Sequence, residues 1–171
     1  MLSPDGERSA QELGDGLKTL TEGGRVIVIG GGLTGVEAAS EVATQYPDLQ
    51  VSLFVTGQFG RYLSQKGQAY LRKIFAQMNI TVHENSRIKQ VAAHAVIMEN
   101  NEQVDYDICV WAGGFTMHPL AREAGLNTNK PGQVLIDPFL RSVSHPNIYA
   151  IGDSANFEEA PGASIEIGCK T

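Results

Sequence analysis

Val26-Ile27-Val28-Ile29-Gly30-Gly31-Gly32-Leu33-Thr34-Gly35-Val36-Glu37 is the stretch on which the reading of the whole chain turns. Its four β-branched residues are too few for a helix and lack the polar alternation of a half-exposed strand. They read as a strand buried on both faces of a parallel sheet. Gly30, Gly32 and Gly35 then follow in the order Gly-x-Gly-x-x-Gly, where a strand gives way to a helix. Each glycine of that pattern has a mechanical role. The first makes the tight turn, the second lets a pyrophosphate approach the backbone, and the third lets helix and strand pack closely. The amides of Leu33 and Thr34 fall in the first helical turn, where donors have no intrahelical partner and the dipole favours an anion. Glycine supplies 19 of the 171 residues, so the pattern draws its weight from this context rather than from itself.

The helix after the glycines carries Ala39, Val42, Ala43 and Tyr46 on one face and stops at Pro47. A second strand over 51–55 completes a βαβ unit, which must be parallel and right-handed. Dinucleotide sites usually place an acidic residue about twenty positions beyond the glycines, to accept from the adenosine ribose 2′-hydroxyl. Here that place reads Val55-Thr56-Gly57. Losing the carboxylate removes a contact that favours NAD and a repulsion against NADP, and Arg61 is near enough in sequence to reach a 2′-phosphate. Arg61 reads equally as a solvated loop charge, so the choice between NAD and NADP stays open. A strong preference for NADH would require an acid from elsewhere, such as Glu84. Glu37, one turn into the helix, and Glu41, one turn further on the same face, read either as a plain polar face or, Glu37 first, as an acidic residue bordering the site.

Further along, Ser64 caps a helix with Tyr70, Leu71, Ile74, Phe75 and Met78 on one face and Asn79 at its left-handed end. A third strand follows over 80–83, then an antiparallel ribbon over 87–106 turning at Asn100-Asn101. Buried strands are expected over 108–112 and 148–151, a short strand over 134–136, and one or two helical turns over 119–125. Ahead of the glycine turn, residues 1–8 read as a loose lead-in, and Ser9-Ala10-Gln11-Glu12 as a capping box opening a helix with Leu13, Leu17 and Leu20.

Thirteen basic against nineteen acidic residues give a net charge of −6, which disfavours nucleic acid and anionic lipid as partners. No run is long and apolar enough for a membrane span, and the first twenty residues lack a signal-peptide core, so the expected location is cytoplasmic. Cys109 and Cys169 form no Cys-x-x-Cys and read as free thiols. Histidines 83, 94, 118 and 145 stand at no ligand spacing, so no metal site is expected.

Taken together, the glycine stretch, Val110-Trp111-Ala112-Gly113-Gly114-Phe115 and Ile148-Tyr149-Ala150-Ile151-Gly152-Asp153 resemble the FAD-dependent pyridine nucleotide-disulfide oxidoreductases. The resemblance is nearest to the branch of type II NADH dehydrogenases and apoptosis-inducing-factor-like reductases. It implies that the first motif binds the nicotinamide dinucleotide and that Ala112, Gly113 and Gly114 end a strand beside it. It also implies that Gly152 and Asp153 belong to a flavin domain, with Asp153 at the ribityl and phosphate part of FAD. The family's first glycine motif, for FAD, has no counterpart here, so the chain reads as the middle of a longer flavoprotein. The lack of Cys-x-x-Cys in the nicotinamide domain argues against the thioredoxin-reductase branch.

The expected fold is α/β: a three-layer Rossmann-type parallel sheet, from strands near 26–30, 51–55, 80–83 and 108–112, with the antiparallel ribbon as third layer. The expected organisation is a lead-in and short helix over 1–22, an NAD(P)-binding domain over 23–140 and a remnant of the FAD domain over 141–171. The resemblance implies hydride transfer from NAD(P)H to FAD and on to a quinone or other acceptor, with no residue here needed as acid or base. The expected site is Gly30, Gly32, Leu33, Thr34, Gly35, Glu37, Thr56, Arg61, Ala112, Gly113, Gly114, Gly152 and Asp153. The expected partners are the dinucleotide and the flavin half of the same protein, membrane association being reserved for the full-length parent; no oligomeric state is assigned. A stand-alone nucleotide-binding sensor without turnover is the alternative.

Overall fold

Four parallel strands organise the first part of the chain: β1 (Arg25–Ile29), β2 (Gln50–Phe54), β3 (Thr81–His83) and β7 (Ile108–Trp111), in the order β3-β2-β1-β7. In this computed structural model residues 6–114, 117–159 and 163–165 are described. Each of the four strands lies within one residue of its expected limits. Strand β1 is central because its residues suit two apolar faces. Val26 and Val28 point to one side, with Ala39, Val42, Val51, Leu53, Val55 and Phe75. Ile27 and Ile29 point to the other, with Phe54, Val96, Met98 and Tyr106. Burying each such side chain contributes roughly 1.5–3 kcal/mol, so a polar residue at any of the four β1 positions would unseat the sheet.

The first face is covered by helices α1 (Gly6–Thr19), α2 (Leu33–Gln45) and α3 (Gln65–Gln77). Ser64 caps α3, its hydroxyl accepting from the Gly67 amide at 3.3 Å, and Asn79 follows at φ 55°, both as the sequence suggested. The second face is covered by an antiparallel ribbon of β4 (Ile88–Val91), β5 (Ala95–Met98) and β6 (Gln103–Asp105), with Asn101 in its turn at φ 63°. Helices, parallel sheet and ribbon are the three expected layers.

The remaining residues form a second compact unit after Gly114. It contains α4 (Leu120–Glu123) and the strands β8 (Val134–Ile136), β9 (Ala155–Glu159) and β10 (Ala163–Ile165), ordered β10-β9-β8. Its core is Val134, Ile136, Ala150, Ala155 and Phe157.

Three local expectations give way. Helix α1 starts at Gly6, so Ser9 lies inside it rather than at its cap; no residue between Gly6 and Ser9 breaks a helix that Leu13 and Leu17 already anchor to the sheet. Tyr70 is exposed, because it stands about 100° around α3 from Leu71, off the stripe of Leu71, Phe75 and Met78. Residues 148–151 do not form a buried strand. They meet the neighbouring segment through one isolated bridge, Arg141 with Tyr149, and only Ala150 enters the core, leaving Ile148, Tyr149 and Ile151 exposed. The compact unit that bears the glycine turn runs to Gly114, and β8 pairs with β9 outside the parallel sheet. Residues 1–5, Phe115, Cys169 and the end of the expected flavin remnant, from 166 on, lie outside the described residues.

Candidate functional site

At the carboxyl end of β1 the chain turns sharply at Gly30, whose φ of 130° is open to glycine. A Cβ there would stand 2.6 Å from the Ala112 carbonyl oxygen and 2.9 Å from the Gly113 amide nitrogen. The turn is therefore packed directly on the end of β7, and the Ala112 amide donates to the Ile29 carbonyl at 2.8 Å. Gly35, in the first turn of α2, lies against the Gly30 carbonyl oxygen so closely that a methyl group would overlap it. Gly31, which the spacing pattern passes over, is equally constrained: its Cβ would overlap Cγ1 of Val55. Consecutive glycines hid this requirement, and only the βαβ geometry that lays the turn over the end of β2 exposes it.

Gly32 differs from these three. It is the N-cap of α2 with an ordinary extended backbone, φ −78° and ψ 179°, and nothing lies within 4 Å of a Cβ built on it. The fold does not require glycine at this position. What the bare backbone leaves is an open face at a helix N-terminus, beside the exposed Leu33 and Thr34, with room for a pyrophosphate to reach the first amides of α2. The residues present thus fit the phosphate part of a dinucleotide.

Around this turn stand most of the other expected residues. Ala112 and Gly113 are half-buried beside Gly30, and Gly114, at φ 89°, closes the unit. Glu37 is exposed one turn into α2. Thr56 follows the buried Val55, and Arg61 lies exposed further along the same loop. Tyr62 carries no signal in the sequence, where it is an isolated tyrosine. Burial, and then the charge of Glu37, push its phenol above its ordinary range.

Glu84 is already engaged by its own neighbours. Its Oε1 accepts from the Phe59 amide at 2.5 Å and from Arg72 Nη2 at 2.8 Å, and its Oε2 accepts from Arg72 Nη1 at 2.7 Å. The Arg72 side chain and the Phe59 amide hold its carboxyl below the usual carboxylate range. Beyond β3 a cavity of about 600 Å³ opens, lined among others by His83, Asn85, Ser86, Arg87 and Met98. His83 stacks on Phe54 with ring centroids 4.3 Å apart, and burial lowers its pKa against the opposing charge of Glu102. The cavity lies at the carboxyl end of the edge strand β3, two strands away from the β1–β7 switch point at which open α/β sheets bind ligands.

Gly152 and Asp153 belong to the second unit. They form a 3-10 turn, Gly152 at φ 62°, with the Asp153 carbonyl accepting from Gln133 Nε2 at 2.9 Å and Asp153 itself exposed. Cys109 is a free thiol on β7 whose pKa burial raises. Among the described residues no group of three His, Cys, Asp or Glu is placed to hold a metal, and no helix is long and apolar enough to cross a membrane.

The family model for the pyridine nucleotide-disulphide oxidoreductases matches residues 5–166. The chain belongs to that family. Among curated members it is 27% identical over 146 residues to a probable NADH dehydrogenase of Dictyostelium discoideum, covering 77% of this chain and 32% of the relative. It is 28% identical over 163 residues to a probable mitochondrial NADH-ubiquinone oxidoreductase of Schizosaccharomyces pombe, covering 81% of this chain and 30% of the relative. The chain thus spans about a third of the length of these two family members. A ferredoxin reductase from Rhodopseudomonas palustris shares the fold, with a TM-score of 0.76 at 23% identity, covering 93% of this chain and 40% of that structure.

Proposed function

We propose that the part of the chain around the glycine turn, which we assign to residues 23–140, is the NAD(P)H-binding domain of a flavin-dependent oxidoreductase. The observation that carries this reading is Gly32, an unconstrained glycine held at a helix N-terminus by three neighbours that must be glycine. Leu33 and Thr34 offer amide donors to the pyrophosphate, Thr56 and Arg61 face the adenosine ribose, and Glu37 with Ala112, Gly113 and Gly114 borders the nicotinamide end. When bound, NAD(P)H supplies the hydride. The residues of this chain bind and orient it, and none is asked to donate or accept a proton.

Residues 141–171 are read as part of the FAD domain, with Gly152 and Asp153 facing the flavin's phosphate and ribityl chain. The exposure of Ile148, Tyr149 and Ile151 supports this: a strand-like apolar run without covering neighbours suits a partner segment from the flavin half. A quinone as final acceptor is supported by the name of the Schizosaccharomyces relative. Titration of the chain with NADH and NADPH, followed by nicotinamide fluorescence, tests the assignment. Saturable binding competed by ADP-ribose is expected for both; no binding of either would overturn it.

A further inference from the structure

The loop after β2, residues 55–63, is gripped from behind. Phe59 is fully buried under it, its ring centroid 4.8 Å from that of Phe75. Both main-chain groups of Phe59 are taken by side chains: its amide donates to Glu84 Oε1 at 2.5 Å, and its carbonyl accepts from Arg72 Nη2 at 3.3 Å. Arg72, on α3, forks onto both oxygens of Glu84, which follows β3, and its guanidinium carbon lies 5.7 Å from the centre of the Phe59 ring. The Asn85 and Ser86 amides donate to the Gly57 and Val55 carbonyls at 3.1 and 2.9 Å. What remains exposed on this loop includes Thr56, Arg61 and Tyr62.

Exposed ion pairs on a protein surface usually contribute little, because solvent screens them and two long side chains must be ordered. Here the pair is bidentate and clasps the backbone of the one segment expected to meet the adenosine ribose. A loop already held in its bound shape loses less conformational freedom when the ligand arrives. We propose that Arg72 and Glu84 are positioning residues for the adenosine end of the dinucleotide, holding Thr56 and Arg61 in place through Phe59 without touching the ligand. The inference rests on the dinucleotide reading above and adds to it residues that no glycine pattern contains.

The test compares ligands that carry different halves of NADH. ADP-ribose and reduced nicotinamide mononucleotide are titrated into the whole chain and into Arg72→Met and Glu84→Gln, with loop hydrogen exchange and melting temperature measured in parallel. Arg72→Met is expected to weaken ADP-ribose about tenfold and to speed exchange over 56–63, leaving the mononucleotide within about twofold. Glu84→Gln, which keeps an acceptor for the Phe59 amide, should lose less, about threefold. Equal losses for both ligands would mean a general effect on the fold and overturn the proposal. Faster loop exchange with unchanged ADP-ribose affinity would overturn it too. Should Arg72→Met fail to fold, the milder Glu84→Gln decides alone: unchanged ADP-ribose affinity despite faster exchange rejects the positioning role. If the unaltered chain binds neither ADP-ribose nor NADH, the dinucleotide reading fails first; if it binds both and the variants bind them equally well, positioning alone fails.

Discussion

The carbonyl oxygen of Gly30 occupies the space that a side-chain carbon on Gly35 would need. This contact presses the first turn of α2 onto the end of β1 and explains why helix and strand meet without a spacer. Gly31 and Gly30 are fixed likewise by Val55 and by the end of β7, so three of the four glycines serve the fold. Gly32 is left to serve what binds.

Gly35→Ala should therefore damage the structure itself. Overpacking against a rigid carbonyl costs about 1–3 kcal/mol or more, since backbone cannot yield as the end of a flexible side chain can. Urea unfolding measures it, with Gly14→Ala as the control, because nothing lies within 4 Å of a Cβ on Gly14. A Gly35→Ala protein as stable as the original would show that the turn is not packed as described.

Arg61 separates the two cofactors if it reaches the 2′-phosphate. Arg61→Ala should then weaken NADPH by about 1.5–3 kcal/mol, the usual scale for a hydrogen bond to a charged group, and leave NADH nearly unchanged. Parallel titrations read the difference. Equal losses, or none, would make Arg61 a bystander on its loop.

His83 gives stability a pH dependence above the carboxylate range. Burial lowers its folded pKa, so the folded state binds its proton less readily than the unfolded state. Its contribution is complete above the unfolded value of about 6.5 and is lost as pH falls through the lower folded value. His83→Phe keeps the stack on Phe54 and removes the proton. Urea midpoints should fall less between about pH 7 and pH 5 in the variant than in the original chain. An identical fall in both would contradict the burial of this ring.

Much of this molecule is legible in its sequence because the signals are local. The β-branched run, the Ser64 cap and Asn79 each act within a few residues, and the parallel strands and α3 lie where they point. What escaped depends on neighbours far along the chain. Gly31 needs Val55, Gly16 lets Ile108 approach α1 within 3.2 Å of a Cβ, and Glu84 is engaged by Arg72 and Phe59. The run 148–151 has the composition of a central strand, yet a strand is buried only where other segments cover it, and composition cannot state that they do.

That difference is itself measurable. Ile151 is 68% exposed while Ala150 is 8% exposed, although both sit in one apolar run. Ile151→Asp should change stability by less than about 0.5 kcal/mol, whereas Ala150→Asp buries an unpaired charge and should cost about 3 kcal/mol or more. Similar penalties at the two positions would mean that Ile151 is covered after all.

The most direct test of the dinucleotide reading is calorimetry of NADH binding to Gly32→Val. The open space at Gly32 accommodates the side chain, at a capping cost of about 1 kcal/mol, so the variant should fold. Its valine would stand where the pyrophosphate must approach α2, and NADH binding should fall by at least about a hundredfold, below detection. A folded Gly32→Val protein that binds NADH as tightly as the original would show that the glycine turn holds no dinucleotide.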